Sequence, residues 1–182
     1  MILGLDVSTS CTGWCILSDD RKLVKMGFIP LAKEKGLFSK AQKVHDALSL
    51  INIKHPVTKI FIEKNLQAFR PGLSSAATLL TLAQFNGIVS YLCHCEFSLD
   101  PEFINVNSAR KSLGIKIIRK SNGGKPTKHQ VLDWVSSQID DTNYVWPVKI
   151  LKGGPRKGQT VLEPGCYDMA DAYVIARSGL MI

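Results

Sequence analysis

A chain of 182 residues is of single-domain size and long enough to bury a substantial core, so residues 1–182 are read as one domain. Its 45% hydrophobic and 21% charged residues exclude a disordered or low-complexity chain, and the formal net charge of +8 favours an anionic partner such as nucleic acid. No apolar run reads as long enough to span a bilayer, and no signal or transit peptide is expected ahead of a first strand that begins at residue 2.

Met1 to Ser18 reads as a strand, a polar turn and a second strand. Ile2-Leu3-Gly4-Leu5 is apolar and ends on Asp6, Val7 to Gly13 has turn chemistry, and Trp14-Cys15-Ile16-Leu17 returns to strand composition. A carboxylate at the end of a buried strand needs a partner, either a metal ion or hydrogen bonds from the Ser8-Thr9-Ser10 turn. Lys22 to Ile29 reads as a third strand, ended by Pro30. A helix is predicted from Phe38 to His55, with Leu37, Ala41, Val44, Leu48 and Ile51 on one face. His45 and His55 read as surface residues without partners. Val57 to Ile62 is the next strand, and it also ends on a carboxylate, Glu63.

Residues 64–72 read as a basic loop containing Phe69 and Arg70. Ser74 or Ser75 is expected to cap a long helix from Ala76 to Cys95, apolar on more than one face and so either buried or shared with a second subunit. Cys93-His94-Cys95 lies within it and reads as core thiols rather than a metal pair. The cysteines (Cys11, Cys15, Cys93, Cys95, Cys166) have no disulfide spacing and suit a reducing cytoplasm, that of a bacterium or phage-infected host. Phe103 to Val106 reads as a short strand, followed by a short helix over Ala109 to Leu113. Lys111, Lys116, Arg119, Lys120, Lys125 and Lys128 form the most basic stretch around Asn122-Gly123-Gly124, where backbone could approach phosphates closely. Thr127 is expected to cap a helix from Lys128 to Ile139. Residues 140–165 read as an inserted basic hairpin or arm, and a last helix runs from Cys166 to Ser178 with Asp168 and Asp171 on one face.

Asp6, Glu63, Asp168 and Asp171 therefore stand out. If the first turn of the last helix lies over the ends of the two strands, four carboxylates converge, and their repulsion is relieved by hard divalent cations with oxygen ligands, Mg²⁺ being the natural choice. A pair of carboxylate-bound ions in a basic protein suits phosphodiester hydrolysis.

Ile2-Leu3-Gly4-Leu5-Asp6 with Thr12-Gly13-Trp14, Phe61-Ile62-Glu63, and Asp168-Met169-Ala170-Asp171-Ala172 resemble the RuvC family of Holliday junction resolvases in order and spacing along nearly the whole chain. Lys125 to Val131 resembles the family's basic loop and following helix. The resemblance implies an α/β, RNase H-like fold with a five-stranded mixed sheet flanked by helices. It implies a homodimer formed through helix 76–95, and paired nicking of four-way DNA junctions in recombination and repair, leaving 5′-phosphate and 3′-hydroxyl ends. It places the catalytic, metal-binding acids at Asp6, Glu63, Asp168 and Asp171, with two Mg²⁺ ions per site and Mn²⁺ as a substitute. Lys125 and Lys128 fall near the family's DNA-binding lysines; Lys111, Lys116, Arg119, Lys120, Phe69 and Arg70 complete the expected DNA-binding set.

Three departures point to a divergent, phage-type branch. Val7-Ser8 replaces the usual Pro-Gly, Leu66 stands where the family carries an aromatic wedge with Phe69 three residues on, and 140–165 is longer than in bacterial members. Two other functions fit parts of the sequence. One is a less selective branched-DNA, flap or RNA–DNA hybrid nuclease on the same fold. The other is an ATP-binding module of the actin and sugar-kinase type, which shares the first hairpin but needs a second lobe.

Overall fold

The computed structural model describes residues 1–64, 75–139 and 144–181. Leu66, Phe69 and Arg70, and with them the expected wedge, lie outside the described residues. The opening apolar runs form an antiparallel meander: β1 (Ile2–Val7), β2 (Cys11–Leu17) and β3 (Leu23–Pro30). After α1 (Leu37–Lys54), β4 (Lys59–Glu63) pairs parallel to β1, and after α2 (Ala76–Phe97), β5 (Glu102–Ile104) pairs parallel to β4. The result is a five-stranded mixed sheet in the order β3-β2-β1-β4-β5. The helices α3 (Val106–Ser112), α4 (Thr127–Gln138) and α5 (Gly165–Gly179) follow, with a short separate hairpin, β6 (Val148–Ile150) and β7 (Thr160–Leu162), before α5.

Strand alternation sorts the core into two layers. Leu3, Leu5, Val7, Ile16, Ile60 and Ile62 point to one face and pack with Val44 and Leu48 of α1 and Phe85 and Val89 of α2. Ile2, Cys15, Leu17 and Phe61 point to the other, where α5 lies across the sheet backed by Val131 and Val135 of α4. Two glycines let α5 approach closely. A Cβ on Gly4 would stand 2.6 Å from the Ala176 methyl, and one on Gly13 would stand 2.7 Å from the Met169 amide and closer still to the Asp168 carbonyl. The helix backbone therefore rests on the backbone of β1 and β2.

Several local expectations are corrected. Ser75 does cap α2, accepting from the Thr78 amide at 3.1 Å, but Thr127 is inside α4, whose N-cap is Pro126 with no side-chain cap bond. The short helix α3 is capped by Asn105, which accepts from the Asn107 and Ser108 amides. His45 has a partner, its Nε2 lying 3.4 Å from a Glu96 carboxylate oxygen. Cys93 is buried, whereas Cys95 is exposed and His94 pairs with Asp100 at 2.8 Å, so only the first of the expected core thiols is one. Helix α2 is buried along a stripe of Phe85, Asn86, Val89 and Cys93 and leaves Leu80 and Tyr91 exposed. It is also long and apolar enough to cross a membrane by length and composition, which corrects the reading that no segment is. Thr81, Gln84, Asn86, Ser90 and His94 interrupt its apolar run, so a search for an unbroken apolar stretch passes over it.

Candidate active site

The same alternation that places Ile2 and Gly4 toward α5 places Asp6 there, and Phe61 likewise brings Glu63. Both acids lie at the same end of the sheet, since Leu5 pairs with Ile62. Gly13 sits opposite Asp6 on β2, and the carbonyl of Asp168 lies against Gly13. A glycine is required at that point because a side chain would displace the first turn of α5, which carries Asp168 with Asp171 one turn on. The four acids predicted from the sequence are thus drawn from β1, β4 and α5 into one electrostatic cluster.

Their ionisation shows the crowding. Burial, reinforced by the charges of Glu63, Asp171 and Asp168, holds the Asp6 carboxyl well above its ordinary range. Burial and the Asp171 charge raise Glu63 to about 6, against the opposing pull of the Asp6 hydrogen bond and Arg110. Asp168 is also raised by burial, partly offset by a hydrogen bond from the Cys11 thiol. Asp171 is raised by burial and stabilised by Arg110, whose Nη2 donates to Oδ1 at 2.8 Å. The Ser8-Thr9-Ser10 turn does not serve Asp6 as one sequence alternative allowed: Ser8 Oγ bonds to the Cys11 carbonyl at 2.8 Å and accepts from the Cys11 amide at 3.2 Å, so the turn is satisfied internally.

Arg110 is the residue that sequence reasoning missed. It and Asp171 are 17% and 18% exposed, and its Nε is buried with no hydrogen-bond partner. The signal available was an arginine in a short helix before the last acidic motif; only the packing of α3 on α5 brings it to the acids. Arg110 also lines a cleft of about 490 Å³ with Lys111, Lys116, Thr127 and the backbone near Gly114. Of the other predicted basic residues, Lys128 lies over the Tyr167 ring at 4.5 Å and close enough to stabilise the Asp168 charge. Lys125 instead turns to Asp133 at 2.9 Å, and Arg119 and Lys120 are exposed beside the Gly123 turn.

The donor set tests the metal expectation. It consists of carboxylate oxygens, the ligands of hard cations, and it is over-supplied with negative charge for the single guanidinium present. Among the described residues, no three His, Cys, Asp or Glu side chains are already gathered as a ready-made cation cage. Asp171 is turned to Arg110, so the carboxylates fit a divalent ion in composition and charge but are not arranged around one position.

No protein-family profile matches the chain, and no curated protein sequence does. Solved structures do. Thermus thermophilus RuvC in complex with Holliday junction substrate superposes with a TM-score of 0.63 at 13% identity, over 97% of this chain and 90% of that one. A second T. thermophilus RuvC structure gives 0.60 at 14% identity, over 97% and 91%. The yeast mitochondrial Holliday junction resolvase Ydc2 gives 0.55 at 18% identity, over 98% and 77%. At such identities the likeness concerns architecture: the five-stranded mixed sheet with its flanking helices matches the RNase H-like fold of RuvC and Ydc2.

Proposed function

We propose that the protein is a metal-dependent endonuclease that resolves four-way DNA junctions. The observation that carries the reading is the meeting of Asp6, Glu63, Asp168 and Asp171 at one end of one sheet face, beside the basic cleft of Arg110, Lys111 and Lys116, on a RuvC-type fold. A RuvC of that fold has been captured on a Holliday junction, which makes branched DNA the first substrate to test.

In this reading Asp6, Glu63, Asp168 and Asp171 would hold Mg²⁺, Asp171 being oriented by Arg110. When bound, the ions would polarise the scissile phosphate and supply the hydroxide that leaves 5′-phosphate and 3′-hydroxyl ends. The protein's own groups do the rest. Asp6, held in its protonated form by burial and its acidic neighbours, would give up that proton to solvent on ligating a cation. Arg110 keeps Asp171 ionised and oriented. Lys128, steadied on the Tyr167 ring, draws the sugar–phosphate backbone toward Asp168, and Lys111, Lys116, Arg119 and Lys120 neutralise phosphates farther along. The exposed face of α2, with Leu80 and Tyr91 and with Phe38 of α1 at 85% exposure beside the cleft of Gln84, Gly87 and Ile88, is where a second subunit docks so that two sites nick symmetrically.

The test is cleavage of a synthetic four-way junction in Mg²⁺ beside a linear duplex, a flap and an RNA–DNA hybrid. Selective, paired nicking of the junction is expected. Equal cutting of junction and duplex would reduce the assignment to a general nuclease, and no cutting of any substrate would overturn it.

A further inference from the structure

The β6–β7 hairpin stands apart from the main sheet, and its charge is one-sided. Val148 pairs with Leu162, Lys149 with Val161 and Ile150 with Thr160, and the connecting turn is folded on itself. The Gly158 amide donates to the Leu151 carbonyl at 2.9 Å, the Leu151 amide to Gln159 at 3.0 Å and the Lys157 amide to Gly154 at 3.1 Å. Gly154 and Gly158, at φ of 75° and 86°, provide the left-handed positions that this turn needs. Every residue from Lys152 to Thr160 is exposed. The turn carries Lys152, Arg156 and Lys157 with no acid between them, and among the described residues no ion pair neutralises any of the three. Lys149, at the base, is the one cation of the hairpin with a partner, Glu163 at 3.7 Å.

The root, in contrast, is fixed to the body of the protein. Trp146 Nε1 donates to Ser136 Oγ of α4 at 3.1 Å, and the Tyr144 hydroxyl donates to the Met26 carbonyl of β3 at 3.4 Å. Pro147 O accepts from the Glu163 amide at 2.9 Å and from the Cys166 thiol in the first turn of α5 at 3.3 Å. Only Glu163 and Pro164 separate β7 from α5, so the arm is tied at its root to the same helical turn that carries Asp168. Such a device holds three unpaired cations at a set distance from the acids. From Asp168 to Arg156 the chain spans at most about 40 Å, which is roughly twelve base pairs of duplex.

We propose that the β6–β7 hairpin is a second nucleic-acid contact, a basic arm that grips the phosphate backbone of double-stranded DNA within about twelve base pairs of the scissile phosphate. It rests on the nuclease reading above, and it is separate from the basic stretch at 111–128. The contact is to phosphates: the tip offers ammonium and guanidinium groups on a narrow turn, and no aromatic or amide side chain other than Gln159 stands among them.

The test is binding of a four-way junction and a linear duplex in EDTA across a salt series, with the full chain and with Lys152→Gln/Arg156→Gln/Lys157→Gln. Three lost phosphate contacts should flatten the log–log salt dependence by about 2.7, so that the unmodified protein loses about 40-fold more affinity than the variant between 50 and 200 mM salt. The charge control is Lys25→Gln/Lys54→Gln/Lys59→Gln, exposed lysines at the end of the sheet opposite Asp6, which should leave the slope unchanged. Lys152→Arg/Lys157→Arg should restore it, and thermal unfolding of the arm variant within about 2 °C of the parent shows that the fold is intact. A variant slope equal to the parent's overturns the arm. A parent protein that binds neither DNA overturns the nuclease reading and the arm together.

Discussion

Replacing Gly13 by alanine puts a methyl group into the contact that positions α5 and its two acids. The new Cβ would lie 2.7 Å from the Met169 amide nitrogen, with the Asp168 carbonyl closer still, whereas ordinary contact begins at 3.4 Å. The first turn of α5 must therefore retreat by at least about 0.7 Å, and because the obstacle is backbone on both sides no rotamer change relieves it. Overpacking of this kind costs about 3 kcal/mol, which for a chain of this size lowers Tm by roughly 6–12 °C. The same retreat withdraws Asp168 from Asp6, and a misplacement approaching 1 Å reduces the chemical step by about 100-fold. Differential scanning fluorimetry in EDTA reads the first effect and single-turnover junction cleavage in Mg²⁺ the second. Gly153→Ala is the control, since nothing lies within 4 Å of its Cβ position and its φ is not positive. A Gly13→Ala protein that melts within about 1 °C of the parent and cleaves at the parent's rate would falsify the account of how α5 is seated.

Asp6→Asn should bind junctions with unchanged affinity in EDTA but lose cleavage in Mg²⁺ by about 100-fold or more, while Tm in EDTA rises by about 2–5 °C because a neutral amide is buried without the desolvation cost of a carboxyl; normal cleavage would rule out the carboxylate site. Arg110→Ala leaves the Asp171 carboxylate buried without its partner, at a cost of about 3 kcal/mol in EDTA that added Mg²⁺ should partly recover; a melting temperature indifferent to both changes would deny Arg110 its role. The raised carboxyls also fix a pH dependence. Glu63, whose folded value is about 6 against an ordinary 4.5, binds its proton more tightly in the native state, so its contribution to stability is fully present below about 4.5 and is lost as pH rises through 6. In EDTA, Tm should therefore fall between pH 5 and 7, and Mg²⁺ should restore more at pH 7 than at pH 5; equal Mg²⁺ effects at both would count against cation binding by these acids. Leu80→Asp/Tyr91→Asp should convert a dimer to monomer in light scattering, and a variant that remains dimeric would move the subunit interface elsewhere.

The alternation of Ile2, Gly4 and Asp6, and of Phe61 and Glu63, determines that both strand acids face the same layer once their strands are neighbours, and the spacing of Asp168 and Asp171 puts both on one side of a helix. These are local periodicities, and the sequence carries them without reference to anything distant. The order β3-β2-β1-β4-β5 and the seating of α5 depend on contacts between residues more than a hundred positions apart, such as Gly13 with Asp168 and Gly4 with Ala176. The resemblance in motifs implied a five-stranded mixed sheet flanked by helices, but neither it nor periodicity gave these contacts. Arg110 shows the limit most clearly. Its helix has no distinguishing pattern, and its pairing with Asp171 exists only because α3 packs on α5. The exposed side of α2 makes the same point in reverse: its apolar residues look alike in the sequence, and only the sheet and α1, by covering one stripe, decide which are core and which remain exposed. Local order is written in nearest neighbours, whereas a site built from three elements is decided by which faces the chain buries together.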